Sequence, residues 1–221
     1  MSLPFIHIPT VCDGTLVRVP SVCQSEDAVT RAEQRERTRQ TLVAESRRLF
    51  AAKGYAAVSL TEIVRESGVT KGALYHHFDG KTDLFRAVLE QVQQEVATRV
   101  AAAAEAAGDP WSRFKAGCAA FVTAGADPEI QRIMLIDGPA VLGWNDWRAM
   151  DEDASAKHLA EALTDLVKNG TIPDRPVAPL TRLLSGAMNE AALWLAQTAG
   201  PGDVTATLEA LSRLLESLRA P

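Results

Sequence analysis

The residue types with the greatest capacity for binding chemistry cluster between Thr61 and Lys81. Hydroxyl and lysine side chains there can bind phosphate oxygens, and tyrosine and histidine can reach base edges or the sugar-phosphate backbone. A glycine inside the cluster has no side chain to hold its backbone away from such a partner. In isolation, Tyr75 would equally fit an ordinary half-buried surface aromatic. Taken together, the spacing indicates a nucleic-acid contact surface made of Thr61, Thr70, Lys71, Gly72, Tyr75, His76 and Lys81.

Basic residues upstream of this cluster extend the same chemistry. Arg37 and Arg39 precede it and are expected to enter a minor groove or contact the backbone, with a solvated helix face as the alternative. Residues 31–85 carry ten Lys and Arg against seven acidic residues, whereas residues 86–221 carry twelve against eighteen. A basic N-terminal region (residues 31–85, called the head below) joined to an acidic region (residues 86–221, the body) fits a DNA-binding protein. The whole chain nevertheless has a formal net charge of -5.

Enzymes and metal proteins need patterns that this sequence lacks. No nucleophile–base pair, glycine-rich phosphate loop or metal-ligand spacing is recognisable, so we expect no catalytic residue, metal or cofactor. His76 and His77 are helix neighbours that point about 100° apart. Cys12, Cys23 and Cys118 are too dispersed for a disulfide framework and are expected to be free thiols. No stretch approaches the roughly 18 uncharged apolar residues of a membrane span, and no signal peptide is visible, so we expect a cytoplasmic protein.

The elements that must position these residues are helices. Beyond residue 30 the chain is rich in Ala, Leu, Arg and Glu, which favour helix, so we predict an all-α fold of about nine helices. The first helix follows Arg31 and stops at Gly54. Ser59 or Thr61 caps a short second helix, and Gly68 supplies the tight turn before a short third one. Two short helices joined in this way indicate a helix-turn-helix.

Longer helices follow this motif. The fourth is predicted from Lys81 to about Ala107, and the later ones over residues 111–125, 128–137, about 145–168, 177–198 and 203–218. The helix over 128–137 is expected to break at Gly138 and Pro139. Residues 1–30 contain three prolines and many β-branched residues, and we predict that they form a flexible extension.

The stretch LFAAKGYAAVSLTEIVRESGVTKGALYHHFDGKTDLF, residues 49–85, resembles the N-terminal domain of the TetR family of bacterial repressors. The resemblance implies a helix-turn-helix DNA-binding domain over 31–85 and an effector-binding and dimerisation domain over 86–221. It also implies a homodimer that leaves a palindromic operator when a small apolar or aromatic ligand binds. The residues that carry it are Phe50, Gly54, Tyr55, Ser59, Thr61, Ile63, Gly68, Lys71, Gly72, Leu74, Tyr75, His77, Phe78, Lys81 and Leu84.

Within that framework, the helices over 177–198 and 203–218 are expected to form the dimer interface. Each carries an apolar stripe, and small residues in the first would permit close helix approach across a two-fold axis. The alternative, which the sequence leaves open, is that these stripes form core within one chain. The stripes consist of Val177, Leu180, Leu183, Leu184, Ala187, Ala191 and Trp194, and of Val204, Leu208, Leu211, Leu215 and Leu218.

Bulky apolar residues in the Ala-rich body are candidates for the lining of an effector pocket, with ordinary core packing as the alternative. The helix that begins at Lys81 is expected to couple this pocket to the DNA head. The competing hypothesis is a DNA-binding regulator without a small-molecule ligand, controlled by a partner or acting as an activator. A fully packed body would favour that hypothesis, and an apolar cavity of several hundred Å³ would favour ligand control. The candidate lining residues are Phe114, Phe121, Met134, Trp144, Trp147, Met188 and Asn189.

Overall fold

The computed structural model describes residues 23–198, 200 and 202–219, and within these ranges all regular structure is helical. Nine helices are present there, which confirms the predicted all-α fold. They are α1 (Cys23–Lys53), α2 (Leu60–Ser67), α3 (Lys71–His77), α4 (Lys81–Glu105), α5 (Pro110–Gly125), α6 (128–142), α7 (144–168), α8 (Val177–Thr198) and α9 (Asp203–Glu216). Both α6 and α7 contain a π-helical segment, Gln131–Asp137 and Glu152–Ala156 respectively.

Helix α1 begins earlier than the sequence pattern predicts. It starts at Cys23 rather than near Arg31, while the rest of the predicted flexible extension, residues 1–22, lies outside the described residues. Of the described residues, 23–37 belong to a separate compact unit. The contacts described below all lie within the unit that begins at Thr38.

Capping residues define the two short helices of the head. The Ser59 hydroxyl accepts a hydrogen bond from the backbone N–H of Glu62 and caps α2, so Thr61 lies inside the first turn and is not the cap. The Thr70 hydroxyl caps α3 in the same way. Between the helices, Gly68 has a φ of +67°, a left-handed conformation that glycine adopts without steric cost. The predicted turn is therefore present where the sequence places it.

Helix α6 does not break at Gly138 and Pro139, so that prediction was wrong. The preceding turns widen into a π-helix, and the helix continues to Leu142 before Gly143, with a φ of +80°, ends it. In a π-helix each carbonyl faces the N–H of the residue five positions later, so the Met134 carbonyl faces residue 139. Residue 139 is proline, which has no N–H to donate. The indole Nε1–H of Trp147 donates to that carbonyl instead, at 2.7 Å.

The apolar stripe of α9 mostly serves the core of its own chain. Leu215 and Leu218 are buried, and the stripe's other members pack against the core half-buried. On α8, by contrast, Leu183 is 71% exposed and Trp194 is 45% exposed. Within the chain, the α9 stripe therefore packs more closely against the core than Leu183 and Trp194 of α8 do, and Leu214 of α9 is 47% exposed.

Candidate nucleic-acid interface and effector cavity

One face of α3 is open to solvent and carries most of the predicted contact residues. Lys71, Gly72, Tyr75 and His76 are all exposed, and half of the Tyr75 surface is accessible. The ammonium group of Lys71 lies 5.9 Å from the centre of the Tyr75 ring, so the two side chains share one side of the helix. This face presents a cation, an aromatic ring and an unobstructed stretch of backbone, which suit the grooves and phosphates of DNA.

The opposite face of α3 fixes the helix in place. Leu74 and Phe78 are buried with Ile63 of α2, which holds the two short helices together. The guanidinium of Arg39 lies 5.6 Å from the centre of the Phe78 ring, so Arg39 is partly covered. Arg37 is exposed and belongs to the first unit of the chain.

Thr61, Thr70 and Lys81 complete the predicted set in different environments. Thr61 and Thr70 are exposed, and Thr70 already uses its hydroxyl as the cap of α3. Lys81 is partly buried, with its ammonium 4.0 Å from the centre of the Tyr55 ring. Burial lowers the pKa of Lys81, although the nearby Asp137 carboxylate acts to raise it. Lys81 therefore packs against Tyr55 of the head, whereas Lys71 is exposed on α3.

A junction that the sequence did not reveal joins the head to α6. The backbone N–H of Tyr55 donates to the Asp137 carboxylate at 2.8 Å, and the Tyr55 hydroxyl lies 3.0 Å from that of Thr82. Gly54 has a φ of +78°, and a Cβ there would fall 2.0 Å from a guanidinium nitrogen of Arg132. The left-handed φ therefore favours glycine at this position, and an added Cβ would have to displace the flexible end of the Arg132 side chain.

Two sets of ion pairs reinforce this junction. Arg47 of α1 bridges Glu95 of α4 at 2.7 Å and Glu129 of α6 at 2.5 Å. Although partial burial acts to lower it, hydrogen bonds to Glu129 and Glu95 raise the pKa of Arg47. Arg86, near the start of α4, pairs with Asp146 of α7 at 2.8 Å. The start of α4 is therefore connected to the head and to both π-containing helices.

A cavity of about 580 Å³ lies in the body among α4, α5, α7 and α8. Most of its wall is apolar, with small residues from α4 facing larger ones from α5. Three of the predicted lining residues, Phe114, Phe121 and Met188, line it. The buried thiol of Cys118 also lies in the wall, and burial raises its pKa to about 12.

The other four predicted lining residues lie elsewhere. Met134 and Trp147 are buried where α6 meets α7, linked by the indole hydrogen bond described above. Asn189 is buried next to Met188 in sequence but is absent from the described lining. Trp144 is 64% exposed, and its ring stacks on Trp147 with 5.1 Å between ring centres. Bulk and apolarity alone did not separate a cavity wall from ordinary core or surface.

Two buried polar residues of the cavity wall, Asp151 and Ser185, were not predicted from the sequence. The Asp151 carboxylate accepts from the Arg148 guanidinium at 2.9 Å, and Arg148 also donates to the Ser185 hydroxyl at 3.1 Å. Burial raises the pKa of Asp151, against the opposing effects of Arg148 and of a hydrogen bond from Ser185. No sequence motif marks this residue, because its burial depends on how α7 packs.

Among the residues that the structure describes, no group of three or more His, Cys, Asp or Glu side chains is arranged to hold a metal ion. None of the described helices is long and apolar enough to cross a membrane.

Two family models match the chain, one over each functional region. The model described as "Bacterial regulatory proteins, tetR family" matches residues 42–88, which contain the exposed face of α3. The model described as "Tetracyclin repressor-like, C-terminal domain" matches residues 111–218, which contain most of the cavity wall.

Individual relatives agree with these models. A solved structure of a TetR-family transcriptional regulator from Pectobacterium atrosepticum shares 33% identity and a TM-score of 0.73, over 86% of this chain and 97% of that one. The transposon Tn10 TetC protein of Escherichia coli is 27% identical over 149 residues, which are 67% of this chain and 75% of TetC. The HTH-type transcriptional regulator SrpR of Pseudomonas putida is 40% identical over 62 residues, only 29% of its length.

Proposed function

The chain belongs to the TetR family of bacterial regulatory proteins, and we propose that it is a repressor that leaves a palindromic operator when a small apolar or aromatic molecule enters the cavity. It is a DNA-binding transcriptional regulator and not an enzyme. The observation that carries the proposal is the course of α4. This helix begins at Lys81 beside the DNA head, and its later residues Ala97, Val100 and Ala104 line the cavity.

The proposed DNA contacts are centred on the N-terminal half of α3. The exposure of its cation and aromatic ring on one face supports direct contact with bases and phosphates. Because Lys81 is partly buried over Tyr55, we expect it to contribute less than Lys71 to phosphate binding. The full proposed set is Arg37, Arg39, Thr61, Thr70, Lys71, Gly72, Tyr75, His76 and Lys81.

The dimer is proposed to form mainly through α8. Exposed residues recur along one face of this helix at positions 183, 186, 187, 190 and 194. Gly186 and Ala187 lie between the exposed Leu183 and Trp194, so two copies of the helix could approach closely while the larger side chains cover the contact. A two-fold pair of heads supplies the specificity that one short recognition helix lacks, because each head then reads one half-site.

Ligand control is supported by the size of the cavity and by the junction around Tyr55. A molecule wedged against α4 would act on the helix whose first turns are tied to the head through Lys81 and Thr82. A ligand shifts the equilibrium only by its differential affinity for the two states. A hundredfold loss of operator affinity requires about 2.7 kcal/mol of coupling.

The DNA-contact proposal is tested by measuring binding to an operator selected from genomic fragments, at several salt concentrations. Tyr75→Ala should weaken binding strongly, and Lys71→Ala should reduce the slope of log affinity against log salt by about one unit. Lys168→Ala, which removes an exposed cation from α7, is the matched control and should leave both affinity and slope unchanged. Unchanged binding by the Tyr75 and Lys71 variants would remove α3 as the reading surface.

A further inference from the structure

The cavity wall contains a carboxylate that is almost completely withdrawn from solvent. Asp151 is 3% exposed and lies where α7 passes into its π-helical segment, beside Ser185 of α8, which is 5% exposed. A buried charge is costly unless it is paired and hydrogen-bonded. Arg148 forms an ion pair with this carboxylate at 2.9 Å.

The hydrogen-bonding capacity of Asp151 exceeds what its neighbours use. An ionised carboxylate offers about four lone-pair sites, and Arg148 and Ser185 each donate to it. Arg148 is itself shared, since its guanidinium also lies 3.7 Å from Glu152. Burial raises the pKa of Asp151, although Arg148 and a hydrogen bond from Ser185 act to lower it.

Acidic side chains outnumber basic ones in the lining of the cavity. Glu105 and Asp165 join Asp151 as carboxylates in the described lining, against the guanidinium of Arg113 and the imidazole of His158. The walls between them are apolar, with Phe114 and Phe121 among the aromatic residues. An anionic ligand would meet these carboxylates, whereas a protonated amine could donate to a lone pair of Asp151 that Arg148 and Ser185 leave free.

We propose that the effector of this cavity is an aromatic or polycyclic molecule carrying a protonated amine, whose N–H groups donate to Asp151 while its rings pack between α4 and α5. This inference rests on the proposed function, since it assumes that the cavity is the effector site, and it narrows the apolar or aromatic ligand of that proposal to a cationic amphiphile.

The test compares three fluorescent probes that share one ring system and differ only in the polar group: 9-anthracenemethylamine, 9-anthracenemethanol and 9-anthracenecarboxylic acid. Binding to the full-length protein without DNA is measured by fluorescence anisotropy. The amine should bind about tenfold tighter than the acid, because it gains a charge-assisted hydrogen bond to a buried carboxylate. Equal affinities, or no binding of the amine, would overturn the proposal.

Two variants with matched charge changes locate the effect. Asp151→Asn keeps the shape and removes the charge, and should lower the affinity of the amine about tenfold while leaving that of the alcohol nearly unchanged. Glu152→Gln is the control, because Glu152 also pairs with Arg148 but lies outside the described lining. Retention of the amine preference by Asp151→Asn, or its loss in Glu152→Gln, would contradict the assignment.

Operator release is measured separately, so that the two proposals fail differently. If the amine binds through Asp151 but does not release DNA, the ligand class stands and control of DNA by the cavity is wrong. If all three probes release DNA with equal potency, control by the cavity stands and the role of Asp151 is wrong.

Discussion

Replacing Trp147 by phenylalanine removes one hydrogen bond on which the shape of α6 depends. The indole N–H donates to the Met134 carbonyl, which faces Pro139 in the wide turn of the helix. Phenylalanine keeps an aromatic ring in the site but donates nothing. The buried carbonyl would then be left without its indole donor, in the helix that also carries Asp137 to the head.

The size of the effect follows from burial. Leaving a buried acceptor unsatisfied costs about 1–3 kcal/mol, and Trp147 is only 3% exposed. The loss of ring volume adds a further cavity cost, so a matched tryptophan is needed as a control. Trp111 supplies it, because it is 6% exposed and its indole donates at 3.1 Å to Glu216, whose carboxylate is partly exposed and also pairs with Lys115.

Urea unfolding at a fixed protein concentration measures both variants, since oligomer stability depends on concentration. The free energy of unfolding should fall about 1–2 kcal/mol further in Trp147→Phe than in Trp111→Phe. Water can replace the indole that donates to the exposed Glu216 carboxylate, but it cannot replace the one that donates to the buried Met134 carbonyl. In the Trp147→Phe background, Pro139→Ala should recover part of the loss by restoring an N–H opposite Met134. Equal destabilisation by the two tryptophan variants, with no recovery from Pro139→Ala, would refute this account of α6.

Three other predictions concern the junction, the dimer and the cavity. Gly54→Ala should destabilise the protein at least as much as Gly68→Ala in the same urea assay. Both glycines have left-handed φ, at a cost of about 1–2 kcal/mol for alanine, and the Cβ at Gly54 must also displace the flexible guanidinium of Arg132. Leu183→Glu should shift the dimer to monomer in sedimentation velocity, and Ala149→Glu, an exposed change on α7, should not. The Cys118 thiol should react with a disulfide reagent orders of magnitude more slowly in the folded protein than after unfolding. A pKa of about 12 instead of the ordinary 9.0 leaves about a thousandfold less thiolate. A Cys118→Ala variant that still shows the slow phase of the reaction would disprove the assignment of that phase to Cys118.

The head was predictable because its determinants are local. Gly68 needs a left-handed turn, Thr70 needs a free helix start, and Leu74 and Phe78 fall at the spacing of a buried helical face. Each of these properties can be read within a few residues of the chain. The sequence left Ser59 and Thr61 as alternative caps of α2, and the structure has Ser59, two positions earlier, in that role.

The body was predictable only in outline because its determinants are distant in sequence. The passage of α6 through Gly138 depends on an indole nine residues further on, which lies 2.8 Å from where a Cβ at Gly138 would be. Asp151 becomes part of a cavity wall only once α7 and α8 are packed. Trp144 looked like a pocket residue by type, and the turn at Gly143 leaves it facing outward.

The central claim is that two α3 helices of a dimer read two related half-sites in DNA. Footprinting of the full-length protein on genomic fragments that it selects tests this most directly. The account predicts a protected palindrome with half-sites separated by about one helical turn or a multiple of it, and loss of protection with Tyr75→Ala. An asymmetric single site, or protection that survives Tyr75→Ala and Lys71→Ala together, would contradict it.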